Sequence, residues 1–278
     1  MTDFATDREL VARAVDGDQD ALTEVVRRVQ DPVHRLAVRM TGRPADAEDA
    51  TQEILIRILT RLATFRAEAS LLTWAYRIAL NHLTGERARP RRELLSFDTY
   101  RQDLQDGLAA PPYQGPDSEL LATEIRLLCT QALLLCLDLD ARAAYVLAEI
   151  LQLPGEEAAW ILGVAPATYR KRAERARRNV RAALSDRCGL LDAKAPCRCG
   201  KRINHALAKG RIPAGGPVYV GLPATKSAAT DLGRLRDVDE LLRSHPAYAA
   251  PEARIGAVLA LVRSGRYEGL LPEGEEQE

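Results

Sequence analysis

The chain has 278 residues, and its 39 Lys and Arg balance 39 Asp and Glu, so the formal net charge is zero. That length accommodates two or three domains, each with a packed core. A zero balance excludes a generally basic protein, so any nucleic-acid binding has to rest on a local patch. The opening residues, MTDFATDREL, are acidic and mixed, unlike a secretory signal. No apolar run reaches the ~18 residues of a membrane span. The expectation is a cytoplasmic protein with no membrane partner. Cys129, Cys136, Cys188, Cys197 and Cys199 are an odd number in a reducing compartment, which disfavours a disulfide framework.

Thr6-Asp7-Arg8-Glu9 has the form of a capping box, with Leu10, Val11, Ala14 and Val15 following at helical spacing. Gly17-Asp18 breaks that helix. A longer one follows on the stripe Leu22, Val25, Val26, Val29, Val33, Leu36, Ala37 and Met40, kinked or divided by Pro32. Gly42-Arg43-Pro44 reads as a turn. The next helix, DAEDATQEILIRILTRLATF, is acidic in its first turns, as the helix dipole favours, and then strongly apolar. Ser70 caps a fourth helix, LLTWAYRIALNHL, which runs into a basic tail at Arg87, Arg89, Arg91 and Arg92.

From Pro90 to Asp117 the periodicity dissolves among Pro111, Pro112, Gly115 and Pro116, and the segment reads as an interdomain linker. Helical patterning resumes near Ser118. Glu156 to Leu162 forms a short helix, Gly163-Val164 a tight turn, and Pro166 falls at the first position of a second helix. Between Arg170 and Arg187 eight cations stand against Glu174 and Asp186. Two helices around a glycine turn, the second of them cationic, make a helix-turn-helix able to enter a DNA major groove. The alternative is a solvated basic helix on an ordinary helical domain. Beyond residue 187, GGPVYVGLP is a short strand or an irregular turn, and helical patterns around Asp231–Arg243 and Glu252–Arg266 close the chain.

The fold class is therefore all-α: two small helical domains joined by a flexible linker, plus a mixed, mostly helical C-terminal extension. The divisions fall at 1–92, 93–117, 118–187 and 188–278. Cys188, Cys197, Cys199 and His205 form a C-x8-C-x-C-x5-H cluster of residue types that ligate zinc. Cys-x-Cys is tighter than common zinc modules, and the other readings are redox sensing through a Cys197–Cys199 or Cys188-linked disulfide, or unremarkable thiols. Arg198, Lys201 and Arg202 are expected to lower the thiol pKa. Cys129 and Cys136, in an apolar helix, read as core. An enzyme built on the cysteines finds no support, since neither a nucleophile–base pairing nor a phosphate-binding glycine loop is visible. A stand-alone helix-turn-helix regulator answering to metal or redox state is a live alternative.

DAEDATQEILIRILTRLATFRAEASLLTWAYRIALNHL resembles the first promoter domain of the extracytoplasmic-function (ECF) sigma factors of bacterial RNA polymerase. LGVAPATYRKRAERARRNVRAAL is similar to the promoter-reading helix of their second domain. The resemblance covers residues 6–187 and implies a transcription initiation factor, not an enzyme, that needs no cofactor. Its partners would be core RNA polymerase, promoter DNA as duplex and as single strand, and an anti-sigma factor. It assigns Asp49, Gln52 and Glu53 to polymerase docking. Arg66, Glu68, Ser70, Trp74, Arg77 and Asn81 would take the unpaired minus-ten strand, although for Trp74 a core position is at least as good a reading. Thr168, Arg170, Lys171, Arg172, Arg175 and Arg178 would face the minus-thirty-five duplex. Leu71 stands where the family commonly has an aromatic residue, Leu80 where it has a basic one, and Tyr169 where it has a small aliphatic one. The extension beyond residue 187 would tune activity.

Overall fold

A computed structural model describes residues 4–85, 95–213, 215–222, 224–226 and 237–264. Four helices build the first domain: α1 (Phe4–Val15), α2 (Gln19–Thr41), α3 (Pro44–Thr60) and α4 (Leu71–Thr84). The valine-rich stripe of α2 explains their arrangement. Val25, Val26, Val29, Val33, Leu36 and Met40 are all buried, against Ile54, Leu55 and Ile58 of α3 and Ala75, Ala79 and Leu83 of α4. Asp18 caps α2 by accepting from the Asp20 and Ala21 N–H groups, and Gly42 ends it in the left-handed region at φ 75°. A β-carbon at Gly42 would lie 2.7 Å from the Leu135 side chain, which would have to move aside, so the positive φ and the close approach both favour glycine there.

Pro32 neither divides nor ends α2, which runs through it. Thr6, expected to cap the first helix, lies inside it, because α1 already begins at Phe4. Asp7 instead reaches across the domain, where its carboxylate accepts from the Leu71 N–H at 2.8 Å and from Arg28 at 3.2 Å. The basic tail at Arg87, Arg89, Arg91 and Arg92 lies outside the described residues.

The expected irregular linker contains a helix, α5 (Phe97–Asp106). Ser96 caps it by accepting from the Thr99 N–H, and Tyr100 and Leu104, four residues apart, bury one face. The breaking residues come only after Asp106, which is why composition over the whole segment concealed it.

The second domain comprises α6 (Ser118–Leu135), α7 (Leu139–Tyr145) with a π-helical turn over Val146–Ile150, α8 (Gly155–Leu162) and α9 (Pro166–Leu184). The extension adds α10 (Ile203–Ala208), β1 (Ala224–Lys226), α11 (Val238–Arg243), β2 (Ala247–Tyr248) and α12 (Glu252–Arg263). β1 and β2 pair antiparallel, with Ala224 opposite Tyr248 and a register shift between Ala224 and Lys226. Within GGPVYVGLP, residues 215–222 form turns that direct backbone N–H groups toward a buried carboxylate, and Pro223 lies outside the described residues. The N–H groups of Val218, Tyr219 and Val220 all point at the Glu124 carboxylate, at 2.8 to 3.0 Å. Glu124 is wholly buried, and this ring of donors is what makes burial of the carboxylate tolerable.

One hydrophobic cluster runs from α1–α4 through α7–α9 to Tyr219, Tyr248 and Val258 of the extension. The domains therefore share a core. No helix among the described residues is long and apolar enough to cross a membrane.

Two buried histidines set the acid response. Burial pushes His34 down to about 4 and holds His245 well below its ordinary value. The unfolded chain takes these protons first, so their contribution is complete above the ordinary histidine value and is lost as pH falls through it. Asp103 acts the same way at lower pH. Partial burial works to raise its carboxyl, but hydrogen bonds from Arg211 and His205 and the charge of Arg202 outweigh that and hold it low. Urea unfolding from pH 7 to pH 4 should show stability falling, with His34 alone contributing on the order of 3 kcal/mol. His34→Gln should flatten that slope, and an unchanged slope would remove His34 from the account.

Candidate nucleic-acid interface

α3 places its polar and apolar groups on opposite sides. Asp49, Gln52 and Glu53, at helical spacings of three and four, share the outer face, while Ala47, Ala50, Thr51 and Ile54 are buried. Asp49 and Glu53 are exposed and Gln52 is half-buried. Glu53 stands 3.6 Å from His82. Asp49 and Gln52 are engaged by the extension: Arg254 of α12 donates to Asp49 at 3.2 Å and to Gln52 at 3.1 Å.

The loop from Phe65 to Leu71 holds Ala67 at φ 55°, a left-handed conformation that non-glycine residues seldom adopt. Arg66 and Glu68 on this loop are exposed, as is Asn81 on α4. The other three residues expected to meet single-stranded DNA are committed inside the molecule. The Ser70 hydroxyl caps α4 by accepting from the Thr73 N–H at 3.0 Å. Trp74 is half-buried and meets Phe65 edge to face, with centroids 5.6 Å apart. Arg77 lies over the Trp160 ring of α8, 4.7 Å from its centroid. Leu71 and Leu80 are both buried, so apolar side chains suit those positions.

α8 and α9 form the helix-turn-helix, with Gly163 at φ 64° in the turn and Pro166 opening α9. Tyr169, Ala173, Ala176, Val180 and Ala183 bury one side of α9, while Thr168, Arg170, Lys171, Arg175 and Arg178 are exposed. Arg172 is half-buried and leans toward Asp140 at 3.4 Å, and Arg178 pairs with Glu174. Among the described residues Arg170, Lys171 and Arg175 carry no ion pair, which leaves them as the cations held ready on this face. Tyr169 joins the core. Burial pushes its hydroxyl up to about 12, so it stays protonated and inside.

Several residues that matter here were not singled out from the sequence. Glu157 of α8 accepts the Thr73 hydroxyl at 2.5 Å, and with Trp160 under Arg77 it seats the second domain on α4. Asp239 of α11 accepts from Arg181 of α9 at 2.5 Å and from the Tyr145 hydroxyl at 2.6 Å. Only the surplus of acids at the start of α8, Glu156 and Glu157 together, was a visible signal.

The cysteine cluster is arranged differently from the expectation. His205 donates from Nε2 to the Asp103 carboxylate at 2.9 Å, and that nitrogen is thereby taken away from the thiols. Among the described residues no group of three or more His, Cys, Asp or Glu is set to hold a metal. All five cysteines are free. Cys188 and Cys197 sit side by side on a parallel backbone bridge, and Cys129 and Cys199 line the same small cavity. The expected lowering of the thiol pKa is reversed. Burial pushes Cys197 up to about 11 and Cys199 to about 12. Arg198 is turned to the carbonyls of Ala193 and Cys197, and Arg202 to Asp103. Cys129 contacts the Tyr100 hydroxyl at 2.9 Å.

Comparison with known proteins gives these faces a family. Sigma-70 region 2 matches residues 25–93, and Sigma-70, region 4 matches residues 127–180. The chain is 32% identical over 182 residues to the ECF RNA polymerase sigma-E factor of Haemophilus influenzae, covering 64% of this chain and 94% of that one. It is 36% identical over 172 residues to the ECF RNA polymerase sigma factor SigE of Mycolicibacterium smegmatis, covering 59% and 63%. A solved structure of CnrH in complex with the cytosolic domain of CnrY is 25% identical, covers 64% of this chain and 97% of that one, and has a TM-score of 0.48. An acidic face on a region 2 helix, a cationic face on a region 4 helix-turn-helix, and a relative matched over nearly its whole length agree: the chain belongs to the ECF sigma factors of the sigma-70 family and is an RNA polymerase sigma factor.

Proposed function

We propose that α3 docks on core RNA polymerase through Asp49, Gln52 and Glu53, and that the two domains then read separate promoter elements. The observation that carries this is the opposite sign of two exposed faces, acidic on α3 and cationic on α9. Carboxylates on one helical face suit a partner rich in arginine, while the α9 cations suit phosphates and guanine edges. Arg66, Glu68 and Asn81 supply polar groups for the unpaired minus-ten strand, with Ser70, Trp74 and Arg77 shaping the loop and helix behind them. On α9, Thr168, Arg170, Lys171, Arg175 and Arg178 face the minus-thirty-five duplex, with Arg172 at the edge.

The protein performs no covalent step on this reading, acts in the cytoplasm and needs no metal. An anti-sigma factor is a further partner, supported by the family resemblance. A stand-alone regulator would have no polymerase to meet the acidic face of α3. Transcription reconstituted with core polymerase on a promoter library is the decisive test. Promoter-specific initiation is expected, and its absence with a folded protein overturns the proposal.

Glu53→Gln is the informative change on α3, since the ion-pair partner of Glu53 among the described residues is His82 of α4. Affinity for core polymerase should fall by about tenfold while duplex binding stays unchanged. On α9, Lys171→Ala in the assembled holoenzyme should weaken promoter binding evenly across sequences. The slope of log affinity against log salt should shrink by about one. A changed sequence preference would instead mark Lys171 as a base reader.

A further inference from the structure

The acidic face of α3 already has an occupant within the chain. Arg254 donates one terminal nitrogen to Asp49 and the other to Gln52, and its Nε lies 3.8 Å from Glu48. The rest of α12 follows this contact along the same surface. Val258 is fully buried, the Ala250 N–H just before the helix donates to Asp31 of α2 at 2.9 Å, and Arg263 reaches Gln19 and Thr23. We infer that α12 is a built-in latch that competes with core polymerase for the docking face of α3. This inference rests on the docking role proposed for Asp49, Gln52 and Glu53.

The chemistry of the contact supports a competitor and not a permanent brace. A guanidinium is the group that a carboxylate-bearing docking face would select in a protein partner, so Arg254 fills the place of one such partner arginine. While it is there, one carboxylate oxygen of Asp49 and the Gln52 side-chain carbonyl are already engaged, and an arginine from outside has to compete for them.

The latch is also weak enough to open. The side chains of Arg254 and Asp49 are 44% and 66% exposed, a setting in which ion pairs contribute little. The anchors that tether α12 are of another kind. Arg39 donates to the Leu242 carbonyl at 2.9 Å, Arg126 donates to the Ser244 carbonyl at 3.1 Å, and the Thr130 hydroxyl meets His245 at 2.6 Å, all buried. A firmly held α11 keeps α12 at high local concentration over α3, so a contact of modest strength is closed most of the time. Polymerase must then bind the open fraction, and its apparent affinity falls in proportion to that fraction.

Arg254→Glu in the full chain sets like charges against Glu48 and Asp49, and Val258→Asp places a carboxylate in the apolar seat of α12. Affinity of each for core polymerase is read by fluorescence anisotropy, with promoter-directed transcription as a second readout. Both variants should bind core polymerase about tenfold more tightly than the unsubstituted chain and initiate more at limiting polymerase. Their main thermal transition should remain. If Val258→Asp loses that transition, Arg254→Glu decides alone. Unchanged or weaker binding by Arg254→Glu, with the unsubstituted chain binding normally, overturns the latch. Failure of the unsubstituted chain and of Arg254→Glu to bind polymerase or direct transcription overturns the docking role itself.

Discussion

Arg142 is the residue on which the assembly of the two domains depends. It is almost completely buried, and its guanidinium donates to the carbonyls of Leu134, Leu135 and Leu137 and to that of Met40. The first three lie at the end of α6 and in the turn just after it, and the fourth belongs to α2 of the other domain. A buried cation is costly unless its donors are met, and here four carbonyls meet them. The same interaction therefore closes one helix and fixes the second domain on the first. Gln131 repeats the theme beside it, donating to the Arg39 carbonyl at 3.0 Å.

With that seam closed, the extension has a surface to lie on, and its contacts divide by depth. Glu124 among three backbone N–H groups, Asp239 between Tyr145 and Arg181, and His245 against Thr130 are inside the molecule, where a missing partner would be expensive. The polar contacts of α12, made by Arg254 and Arg263, are at the edge, in water, where a missing partner costs little, and Val258 is its one buried apolar anchor among the described residues. Firm anchoring and a loose end are both consequences of where the polar groups fall relative to solvent. This gradient makes a regulatory motion of the last helix physically cheap while the remainder of the extension stays attached.

The cysteines illustrate how a spacing can mislead. Cys188, Cys197, Cys199 and His205 are close in sequence, yet Asp103, a hundred residues earlier on α5, takes the histidine. Cys129, read as an ordinary core thiol of α6, lies on the same cavity as the other three. Cations nearby in sequence were expected to ease ionisation. They face carbonyls and a carboxylate instead, and desolvation governs the thiols.

Local rules made much of the protein legible in advance. The α2 stripe, Ser70 as a cap, Gly163 in the turn, Pro166 at the start of α9 and the cation run on that helix all follow from propensity and periodicity. These act over a few residues and need no knowledge of the fold. α5 escaped because a ten-residue helix was averaged with the prolines that follow it. What no local rule could supply was the pairing of distant groups: Glu157 with Thr73, Asp239 with Arg181, and Arg254 with Asp49. Each joins residues separated by 58 to 205 positions, so only the packed chain brings them within hydrogen-bond reach. By itself the sequence determined the helices, their apolar faces and the signs of their outer faces. The tertiary structure decided which of those faces are open and which are already covered, because coverage depends on close packing between segments remote in the chain.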